Sequence, residues 1–442
     1  MGYRIAQVGS FDVENYGDLL FSDVFEAQMR KRLDIDEIVF FSADTCRIPN
    51  RDVMTHSVQE MEALHCQKPF DAVVIGGGDL IHFGRMMILR PFIAPDEQLY
   101  DAPSMWIIPA LVCERYGIPL MLNAPGVPAV FTDNEKRAVR NLLGEAMYLS
   151  VRDANARKEL AAALSDREIS VVPDTVLSIS TLFPKEELKT KLHEIYPQLK
   201  AGNYLLAQIN YKFTEEDIRI LKETLMEIRQ NTGLDILIQP IGYSMGDTEA
   251  IEAMKKDLPA DFIVCDRHLS QYDLLAVIAN AAFYIGSSLH GAITSASYGV
   301  RVLVCNVNHY NKSSGFLSLL NRAEACVADM HDLKEAFKAQ YAEQPADITE
   351  QLALIRAHFD HMADVIQSGR KPQPGFDPHA LSEQLFWSSN CEHAQAAVIM
   401  RQDAEIRALT KERDEYRQAY EQTLQSTSWK ITAPLRKLKG GK

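Results

Sequence analysis

The hydrophobic positions of this chain fall into short apolar runs separated by longer amphipathic stretches. The first run is Tyr3-Arg4-Ile5-Ala6-Gln7-Val8, followed by a polar loop over residues 9–18. Leu19, Leu20, Val24, Phe25 and Met29 then recur at helical spacing. Further strands are predicted at residues 37–41, 71–75, 119–123, 148–151 and 170–172. The second half repeats the scheme. Strands are predicted at 204–209, 235–239, 262–264, 281–285 and 301–306, with helices over 215–232, 251–258, 271–279 and 290–298. Apolar strands alternating with helices predict parallel sheets covered on both faces.

That pattern predicts an α/β protein of two Rossmann-like domains with parallel sheets. The Lys-, Glu- and Pro-rich stretch 183–202 separates the halves, which puts one domain at 1–185 and the other at 186–370. A helix over 349–368 is expected to close the second. Lys371-Pro372-Gln373-Pro374-Gly375 then breaks the pattern, and 371–442 reads as a linker, a helical segment and a basic tail. In that segment Ile399, Ile406, Leu409, Tyr416 and Tyr420 fit a loose heptad, as in a single packed helix or a weak coiled coil.

Bulk properties narrow the function. The length of 442 residues suits two domains and an appendage. A net charge of −14 argues against general nucleic-acid binding, which needs a basic face. The seven cysteines are odd in number and include no CxxC pair, so free thiols in a reducing compartment are expected. No apolar run nears the ~18 residues of a membrane span. The strand-like start leaves no signal peptide, so the cytoplasm is the expected location. No His, Cys and carboxylate cluster suggests a metal.

Ligands of open α/β sheets bind beyond the carboxyl ends of strands. Several polar segments fall there. Residues 9–18 carry Asn15, Gly17 and Asp18; Gly17 suits a special backbone conformation, and Asp18 either caps the following helix or also meets substrate. Gly76-Gly77-Gly78-Asp79 can expose consecutive N–H groups to an anion, or can be a plain tight turn. Arg152-Asp153 and Asp174 each follow a strand; they suit an ion pair, a helix cap and a turn as well as a substrate contact. The sharpest signal is Gly286-Ser287-Ser288-Leu289-His290-Gly291. A strand meets a helix N-terminus there, with two hydroxyls and a histidine in the first turn. An anion at that end would favour a protonated His290, which could then donate its proton.

The ordered set Asn15-x-Gly17-Asp18, Gly76-Gly77-Gly78, Val151-Arg152-Asp153, Pro173-Asp174 and Ser287-Ser288-Leu289-His290-Gly291 resembles the polysaccharide pyruvyltransferase family over roughly residues 3–310. The resemblance implies a fold similar to two-domain GT-B glycosyltransferases, with the acceptor on the first domain and the donor on the second. It implies transfer of pyruvate from phosphoenolpyruvate, a co-substrate rather than a bound cofactor, onto two hydroxyls of a surface-polysaccharide sugar. His290, Asp18 and Asp174 are then the expected catalytic residues. Asn15, Gly17, Gly76, Gly77, Gly78, Arg152, Asp153, Ser287, Ser288 and Gly291 are expected to bind substrate, with the phosphate on the N–H groups and hydroxyls of Ser287 and Ser288. Many members of the family carry Arg two residues before the histidine. This chain has Ser288, so another cation would serve, with Arg267, His268, Arg301 and Lys312 as candidates. A nucleotide-sugar glycosyltransferase on the same architecture, or a non-catalytic member of a polysaccharide assembly complex, remains open.

The stretch 426–436, Ser-Thr-Ser-Trp-Lys-Ile-Thr-Ala-Pro-Leu-Arg, is similar to a segment near the ends of bacterial surface-polysaccharide glycosyltransferases. Trp429, Ile431, Leu435 and the basic residues around them suit contact with the inner face of the plasma membrane, where lipid-linked glycans are built.

Overall fold

The structure is a computed structural model that describes residues 2–83, 104–255, 258–265 and 267–372, together with Leu409, Arg413, Tyr416 and Tyr420. Two six-stranded sheets organise residues up to 372. In the first, the spatial order is Cys46–Arg47, Met54–Ser57, Ile35–Ser42, Tyr3–Val8, Ala72–Gly76 and Leu120–Asn123. Only the outermost pair is antiparallel. In the second, the order is Ile263–Val264, Asp235–Ile238, Tyr204–Gln208, Phe283–Gly286, Arg301–Cys305 and Cys326–Val327, all parallel. The central strands are buried along their length, as Ala72–Gly76 and Tyr204–Gln208 illustrate. That explains why they are written as continuous apolar runs rather than alternating ones.

The strand order reverses once in each sheet. The first reversal lies between Tyr3–Val8 and Ala72–Gly76, and the second between Tyr204–Gln208 and Phe283–Gly286. At such a point the loops of two neighbouring strands leave in opposite directions and open a crevice. The loops leaving these strands carry Asn15, Gly17, Asp18 and Gly77–Asp79 in one sheet, and Gln208–Lys212 and Ser287–His290 in the other.

Helices take their ends from local chemistry. Thr214 with Asp217 and Ser270 with Asp273 form capping boxes that start Glu215–Thr232 and Gln271–Ala279. Gly233 closes the first of these in the left-handed conformation.

Two expectations need revision. Residues 148–151 and 170–172 do not extend the first sheet as full strands. Met147 N–H and Tyr148 O bond the Leu120–Asn123 strand, but then the Ser150 hydroxyl takes over, accepting from Ala124 N–H at 2.9 Å and donating to Leu122 O at 2.6 Å. With that side chain in the ladder, Ser150–Val151 pairs with Ser170–Val171 in a small sheet of its own. The helix Thr349–Gln367 also does more than close the second half. Gln351 bonds Leu319 O at 2.7 Å, but Asp360 pairs with Arg32 at 2.7 Å and His358 bonds Asn123 at 2.8 Å. It therefore ties the halves together, and one buried cluster runs through both.

The chain beyond Ser382 forms a separate unit. Its described residues Leu409, Tyr416 and Tyr420 are helical and exposed. Ile399, Ile406, Trp429, Ile431, Leu435 and the stretch 426–436 lie outside the described residues. Among the described residues no helix is long and apolar enough to cross a membrane.

Candidate active site

The turn after Phe283–Gly286 is held from the neighbouring strand. Gln208 Oε1 accepts from Ser287 N–H at 2.8 Å, Ser288 N–H at 2.9 Å and the Ser287 hydroxyl at 3.3 Å. Gln208 Nε2 in turn donates to Asp247 Oδ2 at 2.7 Å, which also accepts the N–H groups of Ile241 and Gly242. Burial drives the Asp247 carboxyl up to about 6, with those three donors opposing it. Ser288 caps the helix Leu289–Ser297 by accepting from Gly291 N–H at 3.2 Å. The expectation that Ser287 and Ser288 N–H groups face an anion is thus corrected, since Gln208 already satisfies them. The N–H groups of Leu289 and His290 are the ones at this helix end without a protein acceptor among the described residues.

His290 projects from that helix into the first half of the molecule. Its Nε2 lies 3.5 Å from Asp174 Oδ2, and its ring stands edge-on to Phe21 at 5.4 Å. The His290 Nε2 and Asp174 Oδ2 atoms are both buried without a hydrogen-bond partner. Asp174 uses its other oxygen to cap the turn Thr175–Thr181, accepting from Val176 N–H at 3.1 Å. Gly17 lies in the first turn of the helix Tyr16–Arg30, and a Cβ there would overlap the His290 ring at Nδ1. Its backbone is helical, so the glycine supplies room for the imidazole and not the unusual conformation the loop suggested. Tyr16 beside it bonds Thr294 across the halves at 3.1 Å.

Asp18 is not the cap of its helix, because the helix begins two residues earlier with Asn15 at the cap position. It accepts instead from the Asn15 side-chain amide at 2.8 Å. Burial raises its carboxyl above the usual range; His290 and Lys312 oppose that, while Asp79 and Asp174 add to it.

The glycine turn of the first sheet serves packing and support. Gly76 lies against Asn123, Gly77 against Phe21 with φ of +89°, and Gly78 beside Asp18 with φ of +74°. Asp79 pairs with Arg152 at 2.5 Å and with Lys312 at 3.4 Å. Burial alone would raise this carboxyl, but the two cations outweigh it and hold it at about 2. Asp153 caps the helix Ala154–Ala163, accepting from Ala156 N–H at 2.8 Å.

The candidate cations separate clearly. Arg301 opens its strand at the end opposite the turn and bonds Glu343 O. His268 stacks on Tyr243 at 4.0 Å and pairs with Glu14 at 3.1 Å. Arg267 lies 6.0 Å over the Tyr196 ring. Lys312 alone of the four joins the Asp18 and Asp79 carboxylates. The edge thus gathers an imidazole, an ammonium and three carboxylates where the halves meet. Gln208, Asp247 and the Asp79–Lys312 pairing were not anticipated from the sequence. The one signal for Gln208 was a polar residue ending an apolar strand.

The chain is similar in structure to UDP-GlcNAc 2-epimerase from Methanocaldococcus jannaschii, at 12% identity and a TM-score of 0.53 over 83% of this chain and 99% of that one. It is likewise similar to UDP-GlcNAc 2-epimerase from Neisseria meningitidis, at 10% identity and a TM-score of 0.53 over 83% of this chain and all of that one. At such identities the likeness speaks for the fold, which is GT-B-like. No curated protein matches the chain. The model of the polysaccharide pyruvyl transferase family matches residues 15–309, from Asn15 through His290 to the loop that precedes Lys312. A match of that extent makes the chain a transferase and a member of the polysaccharide pyruvyl transferase family.

Proposed function

We propose that the chain moves a pyruvyl group from phosphoenolpyruvate onto two hydroxyls of a saccharide, forming a cyclic ketal and releasing inorganic phosphate. The observation that carries this reading is His290, with its buried Nε2 beside Asp174 and no other partner. The donor anion lies at the start of the Leu289–Ser297 helix, on the Leu289 and His290 N–H groups, with Lys312 as the cation that replaces the arginine absent at Ser288. His290, as the imidazolium, gives its proton to the donor methylene carbon, which becomes the methyl group. The carbon left electron-poor is attacked by one sugar hydroxyl. The second hydroxyl displaces phosphate and closes the ketal. Asp18 is suited to take the proton of the first hydroxyl, since a carboxylate of raised proton affinity is the better base, and the proton of the second leaves with the phosphate. Closure of the crevice keeps water from the activated carbon.

The test is incubation with phosphoenolpyruvate and an acceptor glycan extract. The expected result is phosphate release matched by a pyruvyl mass gain on the glycan. Stabilisation by UDP-, GDP- or CMP-sugars with no response to phosphoenolpyruvate would instead favour a nucleotide-sugar glycosyltransferase. We also propose that the chain acts at the inner face of the plasma membrane through Trp429, Ile431 and Leu435. Equal sedimentation with anionic liposomes for the full chain and a truncation before Ser426 would remove that idea.

A further inference from the structure

Beyond the reaction centre, the same edge of the second sheet carries a second group of residues to which no role has been given. Lys212 follows the Tyr204–Gln208 strand, and its ammonium lies 5.6 Å over the Tyr211 ring and 4.9 Å over the Tyr310 ring. It also donates to the Tyr310 hydroxyl. Among the described residues it meets no carboxylate. Lys312 lies 5.6 Å over the same Tyr310 ring, so Tyr310 stands between this ammonium pair and joins the cluster to the reaction centre.

The cluster is built. Asn306 holds the Tyr310 backbone from both sides, accepting from its N–H at 2.8 Å and donating to its carbonyl at 3.1 Å. Between them His309 takes a left-handed φ of 53°. Tyr211 packs on the backbone of Gly246, where a Cβ would come within 2.9 Å of the ring. Asn210 turns the chain by accepting from Lys212 N–H at 3.0 Å. Yet the rings themselves remain open, Tyr211 at 56% exposure and Tyr310 at 38%. Two positioned, exposed aromatic faces around an ammonium without a counter-charge match a ligand with an apolar ring face and a phosphate. Tyrosine faces stack on the C–H faces of sugars or on bases, and the Lys212 ammonium neutralises phosphate oxygens.

We propose that Tyr211, Lys212 and Tyr310 form a subsite for a diphosphate-linked saccharide, which presents the sugar hydroxyls to the donor carbon and Asp18. This deepens the saccharide-acceptor reading above and rests on it for its biological meaning. The subsite can nevertheless be tested by binding alone, without any transfer. The shared chemistry is a sugar on a diphosphate, carried either by a lipid or by a nucleoside.

The test titrates the full chain with decyl-diphospho-N-acetylglucosamine, UDP-N-acetylglucosamine and decyl N-acetylglucosaminide. At least one diphosphate should bind tenfold or more tightly than the glycoside, and the tighter of the two names the source. Lys212→Ala should lose that tenfold preference with an unchanged Tm, and Lys212→Arg should keep most of it. His290→Ala should retain it, since the subsite lies apart from the proton donor; loss there alone would assign the diphosphate to the reaction centre and overturn the proposal. A glycoside bound as tightly as both diphosphates, or full diphosphate affinity in Lys212→Ala, would also overturn it. Neither result depends on phosphoenolpyruvate being the donor.

Discussion

The two glycine turns at the sheet reversals occupy equivalent places and do different work. In the first, Asp79 is matched by Arg152 and Lys312, and the Arg152 Nε is left buried without an acceptor. In the second, Gln208 closes the Ser287 and Ser288 amides and leaves His290 as the group with an unpartnered buried atom. The charges mix across the halves. The first contributes Asp18, Asp79, Asp174 and Arg152, and the second contributes His290, Lys312 and Lys212. Ligands of such sheets bind at a strand-order reversal, and on the reading proposed above the unpartnered His290 nitrogen at the second one is the reacting group.

That contrast can be broken from either side. His290→Ala removes the unpartnered group, and turnover should fall about a thousandfold with an unchanged Tm. Near wild-type turnover would exclude the imidazole from the chemistry. Gly17→Ala leaves every polar group in place but drives a methyl into the imidazole. Displacement of the ring by about an ångström should cost roughly a hundredfold in kcat, read in the same transfer assay. Equal activity would show that the His290 position is not demanding.

Gln208→Leu opens the sealed part of the second turn. Two amides lose their acceptor, and denaturant unfolding should register a loss of about 2 kcal/mol. An unchanged midpoint would mean that the Gln208 contact contributes nothing to the turn.

The smallest effect is a matter of pH. Burial holds His358 near 3, well below its ordinary value of 6.5, with His361 and Arg32 adding to the shift. Its neutral form bonds Asn123 and Tyr148, so this stability is present above about pH 6.5 and is lost as pH falls from there toward 3. The loss should reach about 2 kcal/mol by about pH 5. His358→Gln should flatten the dependence in the window between roughly 6.5 and 3, whereas an identical profile would place the titration elsewhere.

Much of the fold was legible in the sequence. Glu215–Thr232 and Gln271–Ala279 run where the apolar spacing predicts helices, and the structure shows a capping box at the start of each. The loops that carry the candidate residues were legible as loops, since each follows an apolar run. Their pairing was not. Asp18 resembled a helix cap because the helix seemed to begin at Leu19, whereas Tyr16 and Gly17 extend it toward His290. Arg301 and Lys312 are both cations near the Arg301–Cys305 strand, but only the direction of that strand separates the edge that carries His290 from the opposite one. Gln208 was hidden for a related reason. Its importance comes from the strand beside it, and that neighbour lies 79 residues away.

The most direct test of pyruvyl transfer at this site is to run the reaction in D2O with phosphoenolpyruvate and a glycan acceptor, reading the product by mass spectrometry. Protonation of the donor methylene predicts one deuterium in the methyl group of each pyruvyl ketal, one phosphate per ketal, and product formed about a thousandfold more slowly by His290→Ala. A ketal methyl free of deuterium, or phosphate released while the glycan stays unmodified, would contradict it.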